Sequence, residues 1–245
     1  MNVAVVGGAG YIATHLRPAL EARHTLRLVD MKPAAGAEDR SVVGKVEDPE
    51  LWQQALIGMD AVLWLATAAN NPEAGKDLSL MFGCDVNGFY LMLAQARRLR
   101  IPRIVLASSL SVYDPLHLRH GPAVTEALPA DSWHSYGMSK RLAEFMGQAY
   151  VQSVPEATFL AMRLMRPRND ADWGSADPKA ESKHSHLRSG YSWPTGPEDS
   201  RRLFLAALEF AQPGYHVIQA TGDTVGRHYA HHEARRLLGW EARGE

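Results

Sequence analysis

The chain has 245 residues, of which 46% are hydrophobic and 22% are charged, and its formal net charge is −1. This balance is typical of a soluble globular protein and leaves enough chain for one α/β domain or for a core with a small added lobe. Because no acidic or basic block stands out, we expect no nucleic-acid or membrane partner, and the single cysteine, Cys84, excludes an internal disulfide.

Short apolar runs alternate with helical patterns along most of the chain. The first run, 3–6, has no signal-peptide pattern ahead of it, and no apolar run approaches membrane-spanning length, so we expect a cytoplasmic protein. Further strands are predicted at 25–29, 42–43, 61–65, 103–107 and 158–162, and helices at 11–22, 50–57, 78–99 and 135–150. The alternation predicts an α/β fold with a doubly wound parallel sheet.

The last third of the chain follows a different pattern. The polar, turn-rich stretch 169–197 is predicted to be a loop-rich segment that covers the ligand site. Regular structure then resumes, with a helix predicted at 198–211, a strand at 215–219 and a last helix at 226–238.

A glycine-rich motif joins the first predicted strand to the first helix. The sequence Gly8-Ala9-Gly10-Tyr11-Ile12-Ala13 follows Gly7 and fits the pattern G-x-G-x-x-A. Glycines permit a sharp turn and let the backbone approach a pyrophosphate, while the helix N-terminus supplies free N–H groups and a partial positive charge. Asp30 ends the next strand, where a carboxylate accepts hydrogen bonds from ribose hydroxyls and repels a 2′-phosphate.

These features predict a Rossmann-like fold with a site for NAD in preference to NADP. The cofactor-binding residues of this region are expected to be Gly7, Gly8, Gly10, Tyr11, Ile12 and Asp30. Two alternatives stay open, because the motif could be a glycine-rich turn without a ligand and Asp30 could be a turn cap. On the favoured interpretation, residues 1–163 form the NAD-binding domain and 164–245 form a small substrate-binding region packed on the same domain.

A tyrosine and a lysine, Tyr136 and Lys140, stand four positions apart in the predicted helix 135–150. This spacing places both side chains on one face of a helix. An ammonium beside a phenol stabilises the phenolate, which suits the pair to proton transfer with a substrate oxygen. Ser109 and Ser111 follow a predicted strand, where a hydroxyl can point into the ligand crevice. We predict Ser109, Tyr136 and Lys140 as catalytic residues and Ser111 as a substrate contact; loop serines that satisfy nearby backbone groups are the alternative.

Together these motifs resemble the extended short-chain dehydrogenase/reductase superfamily, in its NAD-dependent epimerase/dehydratase family. The matching stretches are 6–12, 58–62, 106–109, 112–113, 136–140 and, more weakly, 237–240. The resemblance implies that Tyr136 is the acid/base, that Lys140 holds the nicotinamide ribose and that Ser109 is the partner of the substrate oxygen. It adds further residues to the expected cofactor pocket, namely Val46, Leu65, Ala66 and Met165. It also suggests a homodimer built from two helices per subunit.

Some positions depart from the family pattern or lie outside it. Lys45 stands where the family often has an aspartate near the adenine, and Asp85 replaces an asparagine three residues before Gly88. Arg163 follows the sixth predicted strand, and we predict that it grips an anionic group of the substrate; a solvated surface charge is the alternative. The histidines at 228, 231 and 232 are expected to form a polar helix face, so no metal site is predicted.

The motifs favour an NAD-dependent dehydrogenase that acts on a small sugar or sugar acid. The uronate dehydrogenases have a similar chain length, but they carry Asn-His after the two serines, where this chain has Leu110-Ser111. The resemblance to them is therefore one of architecture. A nucleotide-sugar epimerase is the second interpretation. The third is a dinucleotide-sensing protein without turnover, which would not need Ser109, Tyr136 and Lys140 together.

Overall fold

A computed structural model describes residues 1–69, 73, 77–114, 123–173 and 193–245. Within these ranges, seven strands pair in parallel to form one sheet with the order β3-β2-β1-β4-β5-β6-β7. The strands are β1 (Asn2–Val6), β2 (Thr25–Asp30), β3 (Ser41–Val43), β4 (Ala61–Trp64), β5 (Arg103–Ser109), β6 (Thr158–Leu164) and β7 (Gly214–Ala220). This arrangement confirms the predicted Rossmann-like fold class.

The strands form where the sequence is apolar without interruption. All four residues of β4 and all seven residues of β6 are buried, as a strand covered on both faces requires. Helices cover the two faces in turn. They are α1 (Tyr11–Glu21), α2 (Pro49–Ala55), α3 (Leu78–Phe82), α4 (Phe89–Arg98), α5 (Ser135–Ser153), α6 (Pro197–Glu209) and α7 (His232–Leu238).

Two apolar layers hold the helices to the sheet. On one face, Leu16 of α1 and Phe204 of α6 pack against Val5 and its neighbours. On the other face, aromatic rings from α2, β4, α4, β6 and β7 form a continuous row with centroid separations between 5.0 and 6.3 Å, and they are Trp52, Trp64, Phe89, Phe159 and Tyr215. This row extends the second layer across most of the sheet.

Gly147 allows α5 to lie directly on that row. A Cβ atom at this position would approach the Phe159 ring to 2.3 Å, well inside contact distance. The position of α5, and therefore of Tyr136 and Lys140 at its start, depends on this close approach.

Two helices differ from their predicted form. The long helix predicted at 78–99 contains a π-helical turn, Gly83–Gly88, between α3 and α4. The last helix starts at His232 and not at Gly226, because the Asp223 carboxylate accepts hydrogen bonds from the N–H groups of Gly226, His228 and Tyr229. A side chain that binds these groups holds the backbone in a turn in place of a helix.

The residues after 163 contribute to the same sheet as those before. β7 pairs with β6 along its whole length, and α6 packs against α1. Residues 174–192, the larger part of the predicted loop-rich segment, lie outside the described residues; 169–173 and 193–196 flank them without helix or strand. Over the described ranges, no helix combines the length and the apolar character that crossing a membrane requires.

Candidate active site

The site lies at the carboxyl edge of the central strands. The loop after β1, the loop after β4 and the end of β5 meet there, since parallel strands end at a common edge. Strands β2 and β3 lie on one side of β1, and β4 lies on the other side. The crevice between β1 and β4 is therefore the point where the strand order reverses. In open α/β sheets, ligands bind in such a crevice.

The glycine loop after β1 forms a cradle of bare backbone. Gly7 has a φ of 82°, and a Cβ atom there would lie 2.8 Å from the backbone nitrogen of Ala66. A Cβ on Gly8 would lie 2.8 Å from the Cβ of Leu28. Among the described residues, no side chain caps α1 at Gly10, which leaves its first N–H groups for a ligand. The loop therefore fits a pyrophosphate in both space and polarity.

The Asp30 carboxylate faces this loop from the end of β2. Its oxygens accept hydrogen bonds from the backbone nitrogen of Ala9 at 3.0 Å and from that of Met31 at 2.8 Å. Asp30 thus stabilises the glycine loop through these hydrogen bonds, as expected from the alternative prediction that it caps a turn. A carboxylate has about four acceptor positions, so capacity remains for ribose hydroxyls as well.

The other predicted cofactor residues border the same crevice or lie close behind it. Leu65 and Ala66 extend β4, and the Leu65 nitrogen donates to the Val6 carbonyl at 2.8 Å. Val46 is buried against Gly88, where a Cβ atom would approach its Cγ2 to 2.6 Å. Ile12 packs on the core from α1. These positions agree with a pocket wall, and their contact with NAD stays a prediction.

Tyr11 and Met165 contact the segment that follows β6. The Tyr11 hydroxyl donates to Asp172 at 2.6 Å and accepts from the Asn169 nitrogen at 2.9 Å. Partial burial, followed by the Asp172 bond, raises the pKa of the Tyr11 phenol. Met165 is buried, and its sulfur accepts from the Trp193 nitrogen at 3.1 Å. The Tyr11 side chain therefore links the start of α1 to this segment.

Ser109 and Ser111 lie where β5 ends and a short 3₁₀ turn, Leu110–Val112, begins. The Ser109 hydroxyl accepts from the Ser111 nitrogen at 3.1 Å and lies 3.1 Å from the Ser111 hydroxyl. A Cβ atom on Gly137 would come within 2.0 Å of the Ser111 carbonyl oxygen. The absence of a side chain at Gly137 thus lets the start of α5, which contains Tyr136, pack against this turn.

Lys140 is buried beside Tyr136 and paired with Asp85. Its Nζ lies 5.7 Å from the centroid of the Tyr136 ring and 2.8 Å from Oδ1 of Asp85. The other oxygen of Asp85 accepts from the Thr67 hydroxyl at 3.2 Å and from the Ala68 nitrogen at 3.1 Å. The predicted catalytic lysine is therefore tied, through one carboxylate, to the loop after β4.

Arg163 does not reach this site. Its Nε and Nη2 donate to Glu144 of α5 at 3.0 and 2.7 Å, and its Nη1 donates to the Tyr113 hydroxyl at 2.7 Å. Ser108 also donates to Glu144, at 2.7 Å. Because all three guanidinium nitrogens are engaged inside the protein, the predicted grip on an anionic substrate is not available, and we correct that assignment. Burial alone would lower the pKa of Arg163, but the Glu144 bonds outweigh it and the net shift is upward.

The position of Arg163 confirms this separation. It lines a cavity of about 540 Å³ together with Met138, Phe145 and Tyr215, and the described lining includes neither Ser109 nor Tyr136. This cavity lies between α5 and β7, away from the glycine loop.

The sequence did not predict roles for Glu144 and Thr67. The one available signal was Glu144 four positions after Lys140, a spacing that places both side chains on one face of the helix.

The described ranges contain no group of three or more histidine, cysteine, aspartate or glutamate side chains that could hold a metal ion. The Nε2 atom of His231 accepts a hydrogen bond from the Thr221 backbone nitrogen at 3.3 Å and lies 3.1 Å from the Thr221 hydroxyl, and the ring packs edge-on against Trp240. Burial lowers the pKa of His231 to about 4. The local chemistry is therefore that of a neutral, buried imidazole.

Comparisons with known proteins agree with this geometry. A profile of the NAD dependent epimerase/dehydratase family matches residues 3–167. The chain is 28% identical over 166 residues to N-acetyl-alpha-D-glucosaminyl-diphospho-ditrans,octacis-undecaprenol 4-epimerase of Escherichia coli O157:H7, over 68% of this chain and 48% of that protein. It is 24% identical over 223 residues to uronate dehydrogenase of Pseudomonas syringae pv. tomato, over 89% of this chain and 74% of that protein.

A solved structure shows the same fold. A short-chain dehydrogenase/reductase superfamily protein from Agrobacterium tumefaciens, crystallised with bound NAD, superimposes with a TM-score of 0.80 at 21% identity, over 99% of this chain and 93% of that chain. The chain spans about half the length of the first curated relatives that it matches.

Proposed function

Because the chain belongs to the NAD-dependent epimerase/dehydratase family, we propose that it is an NAD-dependent oxidoreductase that interconverts a hydroxyl and a carbonyl on a small sugar or sugar acid. The observation that supports this most strongly is the buried Lys140 beside Tyr136, at the edge of the sheet that carries the glycine cradle. A protein that only senses the dinucleotide would not need this pair.

The residues of the site have separable roles. The Gly7–Gly10 loop would hold the pyrophosphate, Asp30 the adenosine ribose and Lys140 the nicotinamide ribose. Bound NAD would supply the acceptor or donor of the hydride. The Tyr136 hydroxyl carries the proton to or from the substrate oxygen, and the Lys140 ammonium stabilises the phenolate between transfers. Ser109 donates a hydrogen bond to the same substrate oxygen, with Ser111 beside it.

Asp30 is expected to set the preference for NAD over NADP. Replacing Asp30 by Asn keeps an acceptor for the Ala9 nitrogen but removes the charge that repels a 2′-phosphate. We expect Asp30→Asn to reduce the ratio of the NADP dissociation constant to the NAD dissociation constant by about tenfold. Asp30→Ala should also reduce this ratio, and it should weaken both complexes. Fluorescence titration of each cofactor measures both constants. Tighter binding of NADP than NAD by the unmodified protein would contradict the assignment.

The use of the chain after β6 favours a small substrate. β7 completes the sheet, α6 covers one face of it, and α7 packs against β7 and α6. The described residues after Arg168 therefore serve mainly the sheet that binds the cofactor. Little of that part remains to enclose a base, a ribose and two phosphates together, whereas a single sugar ring needs only the crevice beside Ser109 and Tyr136.

A nucleotide diphosphate is accordingly expected to bind weakly. Calorimetric titration of uridine and thymidine diphosphates into the NAD-saturated protein measures this. We expect dissociation constants weaker than about ten micromolar, a binding free energy smaller than roughly 6.8 kcal/mol. Tighter binding would reveal a nucleotide site and would favour a nucleotide-sugar epimerase.

The reaction itself is tested by absorbance of the reduced nicotinamide. Incubation with NAD and a panel of sugars and sugar acids should produce net reduction of NAD with at least one of them. An isomerised sugar without net reduction would support an epimerase and overturn the proposal.

The homodimer and the cytoplasmic location stay predictions. Two exposed side chains, Tyr90 on α4 and Phe145 on α5, are those that such a dimer would cover.

A further inference from the structure

Asp85 occupies an unusual place in the helix that borders the site. It lies within the π-helical turn Gly83–Gly88 and is buried, with a side-chain exposure of 0% against 3% for its partner Lys140. π-Helical turns are rare, and they occur frequently at functional sites. Such a turn shifts the direction of the side chains that follow it, and here the carboxylate meets the lysine of another helix.

Close packing fixes this turn. A Cβ atom on Gly88 would lie 2.6 Å from Val46, so the helix rests directly on the segment after β3. At the other end, a Cβ atom on Gly83 would lie 3.1 Å from the Glu47 carboxylate. The turn therefore packs closely on the segment after β3 at both of its ends.

Few titratable groups lie close enough to Lys140 to change its pKa. Burial lowers the pKa of the Lys140 ammonium, but the charge and the hydrogen bond of Asp85 raise it, and the net shift is upward. The Cys84 thiol stays neutral, because burial and then the Asp85 charge raise its pKa to about 12, and Glu47 adds to that effect. Among the described side chains, Asp85 is thus the carboxylate in contact with the ammonium.

We propose that Asp85 is a positioning residue for the reaction: its carboxylate keeps Lys140 charged beside Tyr136 and ties it to the loop after β4 that borders the glycine cradle. One oxygen of Asp85 binds Lys140 and the other binds Thr67 and Ala68. A single side chain thereby joins the group that stabilises the phenolate to the wall of the expected cofactor pocket. This inference rests on the proposed function for its role in turnover, but the ion pair can be tested without any cofactor.

The sign of the pH dependence follows from the raised pKa of Lys140. The ammonium is present below that raised value and is lost as the pH rises through it. In Asp85→Asn the burial penalty is no longer offset, so the proton is lost at a lower pH. The alkaline limb of the pH–rate profile should then move towards neutrality by one pH unit or more, about tenfold in the proton concentration at the midpoint.

Nuclear magnetic resonance of the lysine ε-carbon tests the pair in the cofactor-free protein. The Lys140 signal is assigned by its loss in Lys140→Arg. Between about pH 6 and about pH 10, the range below the ordinary lysine value, Lys140 should stay protonated in the native protein and titrate in Asp85→Asn. Thr67→Val is the matched control, since it removes a neutral contact of the same carboxylate and should leave Lys140 protonated throughout.

Two results would overturn the inference. One is a Lys140 signal in folded Asp85→Asn that stays as protonated as in the native protein. The other needs no variant at all, and is a native Lys140 that loses its proton within that pH range. If the resonance shifts in Asp85→Asn while no sugar reduces NAD, the ion-pair inference stands and the proposed function fails.

Discussion

Tyr136→Phe is expected to bind NAD almost normally and to lose turnover by roughly a hundredfold or more. The substitution removes only the hydroxyl that carries the proton, and it leaves the ring beside Lys140 in place. Lys140→Ala, by contrast, should weaken NAD binding as well as turnover, because it removes the ribose contact and leaves the Asp85 carboxylate buried without its partner. Fluorescence titration of NAD and the rate of its reduction separate the two effects.

Tyr150→Phe is the matched control for this experiment. Tyr150 lies on the same helix, and its hydroxyl donates to the Ile101 carbonyl at 2.7 Å in the core. Its loss should lower stability slightly and leave turnover close to that of the native protein. Near full activity in Tyr136→Phe would show that another group is the acid/base.

Local patterns were sufficient to predict the glycine loop and the carboxylate that faces it. The glycines of residues 7–10 and the aspartate at position 30 lie close in sequence to the strands and helix that place them, and their spacing follows from the geometry of one β-α-β unit. The pairing of Tyr136 and Lys140 was predictable for the same reason, since one helical turn separates them. In each case the residues belong to one local unit of the chain, so the sequence alone is enough to predict that they come together.

The partners of these residues could not be predicted in the same way. Asp85 was recognised only as a departure from a family pattern, because its contact with Lys140 joins two helices through a π turn. Arg163 was misassigned because β6 is buried on both faces, which removes the alternation that would show where a side chain points. An arginine near the end of such a strand was therefore interpreted as a ligand contact, whereas Glu144 neutralises it from the covering helix.

The Arg163–Glu144 pair leads to the second large expected effect, which is on stability. The two side chains are 7% and 5% exposed and lie 2.7 Å apart. Removing one charge from a buried pair leaves the other uncompensated in a medium that solvates it poorly. We expect Glu144→Gln and Arg163→Met each to lower the free energy of unfolding by about 3 to 5 kcal/mol.

The double variant distinguishes a charge effect from a simple loss of packing. Glu144→Gln combined with Arg163→Met removes both charges, so it should cost clearly less than the sum of the single variants, with a coupling energy of roughly 1 to 3 kcal/mol. Urea denaturation followed by circular dichroism gives all four free energies. The exposed pair of Glu233 and Arg236 on α7 serves as the control, and breaking it should leave the free energy of unfolding close to that of the native protein. If the losses at Glu144 and Arg163 were instead additive, the pair would not act as a unit.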